Sequence, residues 1–270
     1  MVMFGMTRSI DIRALMVGGF LTVLLVAAPA TSALHNVLII SIDALHPEAL
    51  RAGDLPTLQR VMRQGAYTMA GQSTDPPLTL IAHTAMFTGL SPSASGKQDN
   101  RWQPGEPTVS RPTIFNRAQN SGYRTGYFYS KQKLGYLVNE AVDDPQWSKD
   151  NVIDLAEAFM DGPGPHFVFL HVSGLDQVGP EYGWLSPEYL EELSYIDDAL
   201  SPLITKIEKR KHFVIIITSD HAGHGRIHGS RHPEDYRLPM VIYADGMDFS
   251  AYQDAAYTVT DLPKILDPVW

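Results

Sequence analysis

Asp43, Asp176 and the run Ser219-Asp220-His221-Ala222-Gly223-His224-Gly225-Arg226-Ile227-His228-Gly229 carry the side chains of this sequence best suited to holding a divalent cation. Imidazole nitrogens beside carboxylate oxygens suit Zn²⁺ or Mn²⁺ better than Ca²⁺, which takes oxygen ligands. A single aspartate after a strand is ordinarily a turn or cap residue. Several gathered in one crevice repel one another, and a divalent cation is the simplest way to keep them ionised. A third segment, Pro76 to Gly89, holds the hydroxyls of Thr79, Thr84 and Thr88. A hydroxyl is a weak nucleophile at neutral pH, and a bound metal is one way to activate it. Taken alone, a threonine at a helix start is a cap. The chain has no cysteine, which excludes disulfides, thiolate metal sites, a cysteine nucleophile and a cysteine-derived formylglycine. Its formal charge of −9 argues against wrapping a nucleic-acid backbone, which depends on clustered Lys and Arg.

These residues need rigid elements behind them. Four apolar runs, Val37 to Ile42, Phe167 to Val172, Phe213 to Thr218 and Met240 to Ala244, are β-branched or aromatic and lack strict alternation, as parallel strands buried on both faces do. Tyr123 to Tyr129 is a weaker fifth. Helical segments lie between them: one from Pro56 closed by Gly65, a short one within Ala82 to Thr88 closed by Gly89, and a long one opened by Ser186 and Pro187, in which Pro202 predicts a kink. The pattern predicts an α/β fold, a mostly parallel central sheet with helices on both faces. Asp43, Asp176 and Asp220 each follow a strand, where ligands of open α/β sheets bind. At the N-terminus, Arg8 and Arg13 precede an apolar run from Ala14 to Ala28 and small residues to Ala33. The run is shorter than the roughly 20 residues of a spanning helix. Residues 1–33 are therefore expected to be a cleaved signal peptide and 34–270 the catalytic domain, exported to the periplasm or outside the cell, with no stable membrane span.

The three clusters together resemble the alkaline phosphatase superfamily, specifically its nucleotide pyrophosphatase/phosphodiesterase (type I phosphodiesterase) branch. The resemblance rests on Asp43, on Thr79-x-x-x-His83-Thr84 leading to Thr88-Gly89, Pro92, Gly96 and Asn100, on Asp176-x-x-Gly179 with Gly183-Trp184, and on Ser219-Asp220-His221 through His228-Gly229. It implies an alkaline-phosphatase-like fold and the following roles. Thr79 is the nucleophile and also touches the metal. Asp43, Asp220 and His221 hold one ion, Asp176 and His228 a second, and Asn100 donates to a phosphoryl oxygen, with His83 structural. It implies two divalent ions, Zn²⁺ or else Mn²⁺, and a small phosphorylated substrate carrying a phosphodiester or pyrophosphate bond. The chain departs from the branch at Pro180, where a histidine ligand is usual, and at Ile81 and Ser95. His224 or Glu181 are the substitutes at hand, and His232 reads as a surface residue. The alternative function is a catalytically impaired relative that binds a phosphorylated ligand or a protein partner.

Overall fold

The protein is described by a computed structural model over residues 34–270, together with Met1, Val2 and Gly5. The expected signal segment lies, but for those three, outside the described residues. Eight strands form one sheet: β1 (Asn36–Ile42), β2 (Ala66–Gln72), β3 (Arg124–Tyr129), β4 (Asp144–Trp147), β5 (His166–Val172), β6 (Phe213–Thr218), β7 (Arg237–Ala244) and β8 (Tyr257–Thr258), in the order β4-β3-β5-β1-β6-β7-β2-β8. The central strand β1 pairs in parallel with β5 on one side and β6 on the other, and β3 joins β5 in parallel.

Every residue of β1 is buried, because both faces of the sheet are covered. Val37 and Ile39 point into a core shared with helices α2 (Thr79–Thr88) and α3 (Ile114–Asn120). Leu38, Ile40 and Ile42 point into the opposite core, with α1 (Pro56–Gln64), α4 (Val152–Phe159), α5 (Leu175–Tyr182) and α6 (Pro187–Lys209). Period-two alternation of a strand thus feeds two cores at once.

The helix starts follow their capping residues. Pro56 opens α1 at its first position, Ser186 accepts the Tyr189 N–H at the head of α6, and Gly89 closes α2 in a left-handed conformation, φ 69°. α2 begins earlier than its apolar stretch suggested, at Thr79, and α6 runs unbroken through Pro202. The run at Met240 pairs antiparallel with β6 rather than parallel. The segment Ser219–Tyr236 between the two strands contains only a short 3₁₀ turn, and a parallel return would need a crossover element. Among the described residues, no helix is long and apolar enough to cross a membrane.

Candidate active site

Asp43 follows β1 directly, Asp220 stands two residues past β6, and Lys131 two residues past β3. These strand ends lie side by side, since Ser41 is in register with His171 of β5 and Thr218 of β6, and His171 with Tyr129 of β3. The loops beyond them are clamped by hydrogen bonds. The Ala44 N–H donates to Asp220 Oδ1 (3.2 Å), the Leu45 N–H donates to Ser219 Oγ (2.9 Å), and the Tyr189 hydroxyl donates to the Ala44 carbonyl (2.6 Å). Trp184 braces the same loop through its indole N–H to the Ala44 carbonyl (3.3 Å) and lies against the His228 ring. Gly179 and Gly223 make room for that indole, because a Cβ at either would run into it.

Asp43, Asp220 and His221 are fully buried. One oxygen of Asp43 is spent: Oδ2 meets Lys131 Nζ at 2.6 Å and His171 Nε2 at 2.9 Å. The other has no hydrogen-bond partner, and neither has Asp176 Oδ1, Asp220 Oδ2 or His221 Nε2. These four orphaned atoms face each other, with His221 Nε2 at 3.3 Å from Asp43 Oδ1 and 3.6 Å from both Asp176 Oδ1 and Asp220 Oδ2. Buried polar atoms without partners are rare and costly, and four convergent ones of this kind could hold a cation. Asp43, Asp220 and His221 form one such trio, and Asp176, His221 and His228 another. His228 Nε2 lies 3.4 Å from Asp176 Oδ1, and its ring stacks on that of His221.

Charge at the site is lopsided. Burial alone would raise the Asp43 pKa, but the Lys131 ammonium, the hydrogen bond from His171 and the nearby His221 imidazole hold it well below the usual carboxylate range. Burial opposes a charge on His221, yet Asp220, Asp43 and Asp176 carry its pKa up to about 9. A cation bound at its Nε2 would have to displace that proton. Burial pulls His83 down to about 4, which keeps it neutral as a strut from the Thr79 carbonyl (2.7 Å) to Ser41 Oγ (2.9 Å).

Thr79 heads α2, and its hydroxyl accepts a hydrogen bond from Lys131 Nζ at 3.3 Å. Asn100 is tied to the same helical turn, its Oδ1 taking the Leu80 N–H at 2.9 Å. The seven residues singled out in the sequence, Asp43, Thr79, Asn100, Asp176, Asp220, His221 and His228, therefore share one end of the sheet. The two proposed substitutes for the missing histidine do not join them. His224 bonds Asp235 at 2.7 Å and stacks on the exposed His232, while Glu181 is exposed. Pro180 is inside α5, one turn after Asp176.

Lys131, His171, Ser130 and Ser41 were not foreseen. His171 takes its second contact from Ser130 Oγ (3.0 Å), which fixes the ring against Asp43. A histidine inside an otherwise apolar strand and a lysine just past a strand's carboxyl end were the available signals.

A mostly parallel α/β sheet that gathers carboxylates and imidazoles past its strand ends is the architecture of alkaline-phosphatase-like proteins. In that class, the chain covers 94% of murine ectonucleotide pyrophosphatase/phosphodiesterase 5 with a TM-score of 0.67 at 13% identity over 86% of this chain. It covers 80% of the C-terminal periplasmic domain of EcEptC from Escherichia coli, with a TM-score of 0.65 at 12% identity over 86% of this chain. The chain belongs to the type I phosphodiesterase/nucleotide pyrophosphatase family, whose model matches residues 37–237. Among curated relatives, GPI ethanolamine phosphate transferase 1 of Gibberella zeae is 30% identical over 217 residues, 70% of this chain and 22% of the relative. An uncharacterized pyrophosphatase/phosphodiesterase of Schizosaccharomyces pombe is 23% identical over 257 residues, 82% of this chain and 50% of the relative. The Saccharomyces cerevisiae ethanolamine phosphate transferase matches over 85 residues at 36% identity, and the chain spans only 9% of its length.

Proposed function

We propose that this chain is an exported metal-dependent enzyme that cleaves phosphodiester or pyrophosphate bonds of a small substrate by way of a phosphothreonine on Thr79. The observation that carries the reading is the set of four orphaned, buried donor atoms beside a threonine hydroxyl at the head of a helix. Asp43, Asp220 and His221 are the residues that would hold a divalent cation, Zn²⁺ or Mn²⁺. A cation there would lower the pKa of the neighbouring hydroxyl and offset charge on the phosphoryl group.

The chain's own residues do the rest. Thr79 Oγ gives up its proton to solvent and attacks phosphorus, the bond to the leaving oxygen breaks with that oxygen taking up a proton from solvent, and the phosphoryl group stays on Thr79 with its remaining ester substituent. With its Oδ1 engaged by the Leu80 N–H, Asn100 has its NH₂ left to donate to a non-bridging phosphoryl oxygen, a contact that strengthens as charge develops. His171, held by Ser130, keeps Asp43 oriented. Water or an alcohol then takes the phosphoryl group from Thr79, so hydrolysis and transfer share the first half-reaction.

The diester preference draws on the family and on relatives named as ethanolamine phosphate transferases. The test is turnover of an aryl phosphodiester by the purified protein with added Zn²⁺ or Mn²⁺, with and without ethanolamine as acceptor, and mass spectrometry of the quenched enzyme. A covalent adduct on the peptide carrying Thr79, the phosphoryl group together with its remaining ester substituent, is the expected outcome. Absence of both turnover and label over a panel of diesters and pyrophosphates would leave the alternative, a relative that binds a phosphorylated ligand without cleaving it.

A further inference from the structure

The second cation position of this site raises a question of charge and donors. Asp176 and His228 are its candidate ligands, and the third member of their trio is His221. That same Nε2 is also the nitrogen of the trio with Asp43 and Asp220. An imidazole nitrogen has one lone pair, so it can serve one ion at a time. The next place to find a ligand is one turn along α5 from Asp176, and proline stands there. Once His221 is committed to Asp43 and Asp220, two protein ligands remain.

The space between the carboxylates is also taken. Lys131 Nζ bonds Asp43 Oδ2 at 2.6 Å, lies in hydrogen-bond contact with Asp176 Oδ2, and reaches Thr79 Oγ1 at 3.3 Å. The ammonium thus holds the Oδ2 of each carboxylate and leaves a single free oxygen, Oδ1, on Asp43 and on Asp176, both turned to the same His221 nitrogen. The lysine side chain is mostly buried, 18% exposed, so its charge is little screened. Three carboxylates are balanced by one divalent ion and one ammonium. Two divalent ions beside the same ammonium would leave two positive charges in excess in a buried site, which is costly.

We propose that Lys131 is the built-in second cation of the site: the chain works with one divalent ion, held by Asp43, Asp220 and His221, and the Lys131 ammonium stands beside Thr79 where related sites hold another metal. Lys131 is then a catalytic residue that remains protonated throughout. As the Thr79 Oγ–P bond forms and the bond from phosphorus to the leaving oxygen breaks, solvent takes the hydroxyl proton and supplies one to the leaving oxygen, while the ammonium holds the oxygens at the reacting centre by charge and hydrogen bonding, with no proton of its own transferred. The proposal rests on the reading of Thr79 given above, but its central readout does not.

The experiment is native mass spectrometry of the full chain titrated with Zn²⁺ and, separately, Mn²⁺. One ion per chain is expected at saturation. The variant Lys131→Met frees Asp43 Oδ2 and Asp176 Oδ2 and is expected to accept a second ion, with aryl phosphodiester turnover lowered about 100-fold or more at matched metal. Because that variant leaves carboxylates unbalanced and so puts folding at risk, the unmodified protein is also acylated with and without metal. Lys131 should resist modification in the metal-loaded chain. Two ions bound by the unmodified protein with similar affinity, or Lys131 becoming reactive as metal is added, would overturn the proposal. So would a Lys131→Met protein with one ion and full turnover. Stoichiometry and acylation read out whether or not the chain cleaves any diester, so a failure of the proposed function shows separately as missing turnover with one ion still bound.

Discussion

Thr79 differs from the other two threonines of its helix in what its hydroxyl is free to do. Thr84 Oγ1 donates to the Leu80 carbonyl at 2.6 Å and Thr88 Oγ1 to the Thr84 carbonyl at 2.7 Å, the back-bonding typical of threonine within helices. Thr79, at the first position, accepts from Lys131, the same ammonium that pairs with Asp43 and Asp176. Thr79→Ala should therefore lower turnover of an aryl phosphodiester by about 10⁴-fold while shifting the melting temperature by no more than about 2 °C, because one hydroxyl carries little of the stability. Thr84→Ala should stay within about tenfold of the unmodified enzyme. A dead Thr84→Ala beside an active Thr79→Ala would put the nucleophile elsewhere. Asp43 and the Asp220-His221 pair drew notice in the sequence because they stand directly after buried strands, and Asp176 and His228 because they follow the same strands in short motifs four and ten residues on. Lys131 and His171 were not. The strand before Lys131 is the weakest of the five apolar runs, and a lone histidine inside a strand carries no local signal of the carboxylate it will meet from the neighbouring strand.

At the scale of elements, the sequence exposed the middle of the sheet better than its margins. β1, β5 and β6 are buried on both faces and so read as mostly apolar runs, broken only by residues such as Ser41 and His171. β2 alternates and contains Gly71, β4 holds Pro145, and β8 is two residues long, so none has the length or composition that announces a strand. Tertiary caps were equally invisible. Asp197, buried in the middle of α6, accepts the N–H groups of Thr57 at 2.9 Å and Leu58 at 2.6 Å and so caps α1 from another helix. Burial raises its pKa, and those two hydrogen bonds act in the opposite sense. Asp197→Ala would leave both donors buried without a partner, at a cost of about 2–4 kcal/mol. The melting temperature should drop by roughly 5–12 °C in calorimetry. Turnover of the folded variant should be unchanged, since Asp197 lies in the packing between α1 and α6 and touches none of the site residues. A drop in turnover with no change in melting would contradict this account of the residue.

For the whole molecule, stability is linked to what the site and the core bind. An ion held only by the native chain stabilises it by mass action, about 2.7 kcal/mol at a concentration 100 times the dissociation constant. Removing metal by chelation should lower the melting temperature by roughly 5–10 °C. An unchanged melting curve after complete removal would mean that Asp43, Asp220 and His221 do not hold the ion.

Protons act through a different residue, far from those ligands. His166, the first residue of β5, is buried against Phe159, and its Nε2 has no hydrogen-bond partner. Burial pulls its pKa down to about 4, and the positive charges of Arg210 and Arg124 add to the shift. In the unfolded chain the same imidazole titrates near the usual value of about 6.5. Between those two values the unfolded state binds the proton and the folded state does not, so stability rises with pH through that window. The contribution is complete above about pH 6.5 and is lost as pH falls toward 4, with a slope approaching 1.36 kcal/mol per pH unit. Carboxylates titrate in the same range, and any loss of metal would be coupled to proton uptake by its ligands. The measurement is therefore made on metal-free protein, as a comparison of the unmodified chain with His166→Phe, a ring of similar shape that cannot take a proton. Between pH 7 and pH 5 the unmodified protein should lose about 1–2 kcal/mol more than the variant. In melting temperature that is an extra fall of roughly 2–8 °C. Parallel curves for the two proteins would show that His166 is not the group through which acid weakens this fold.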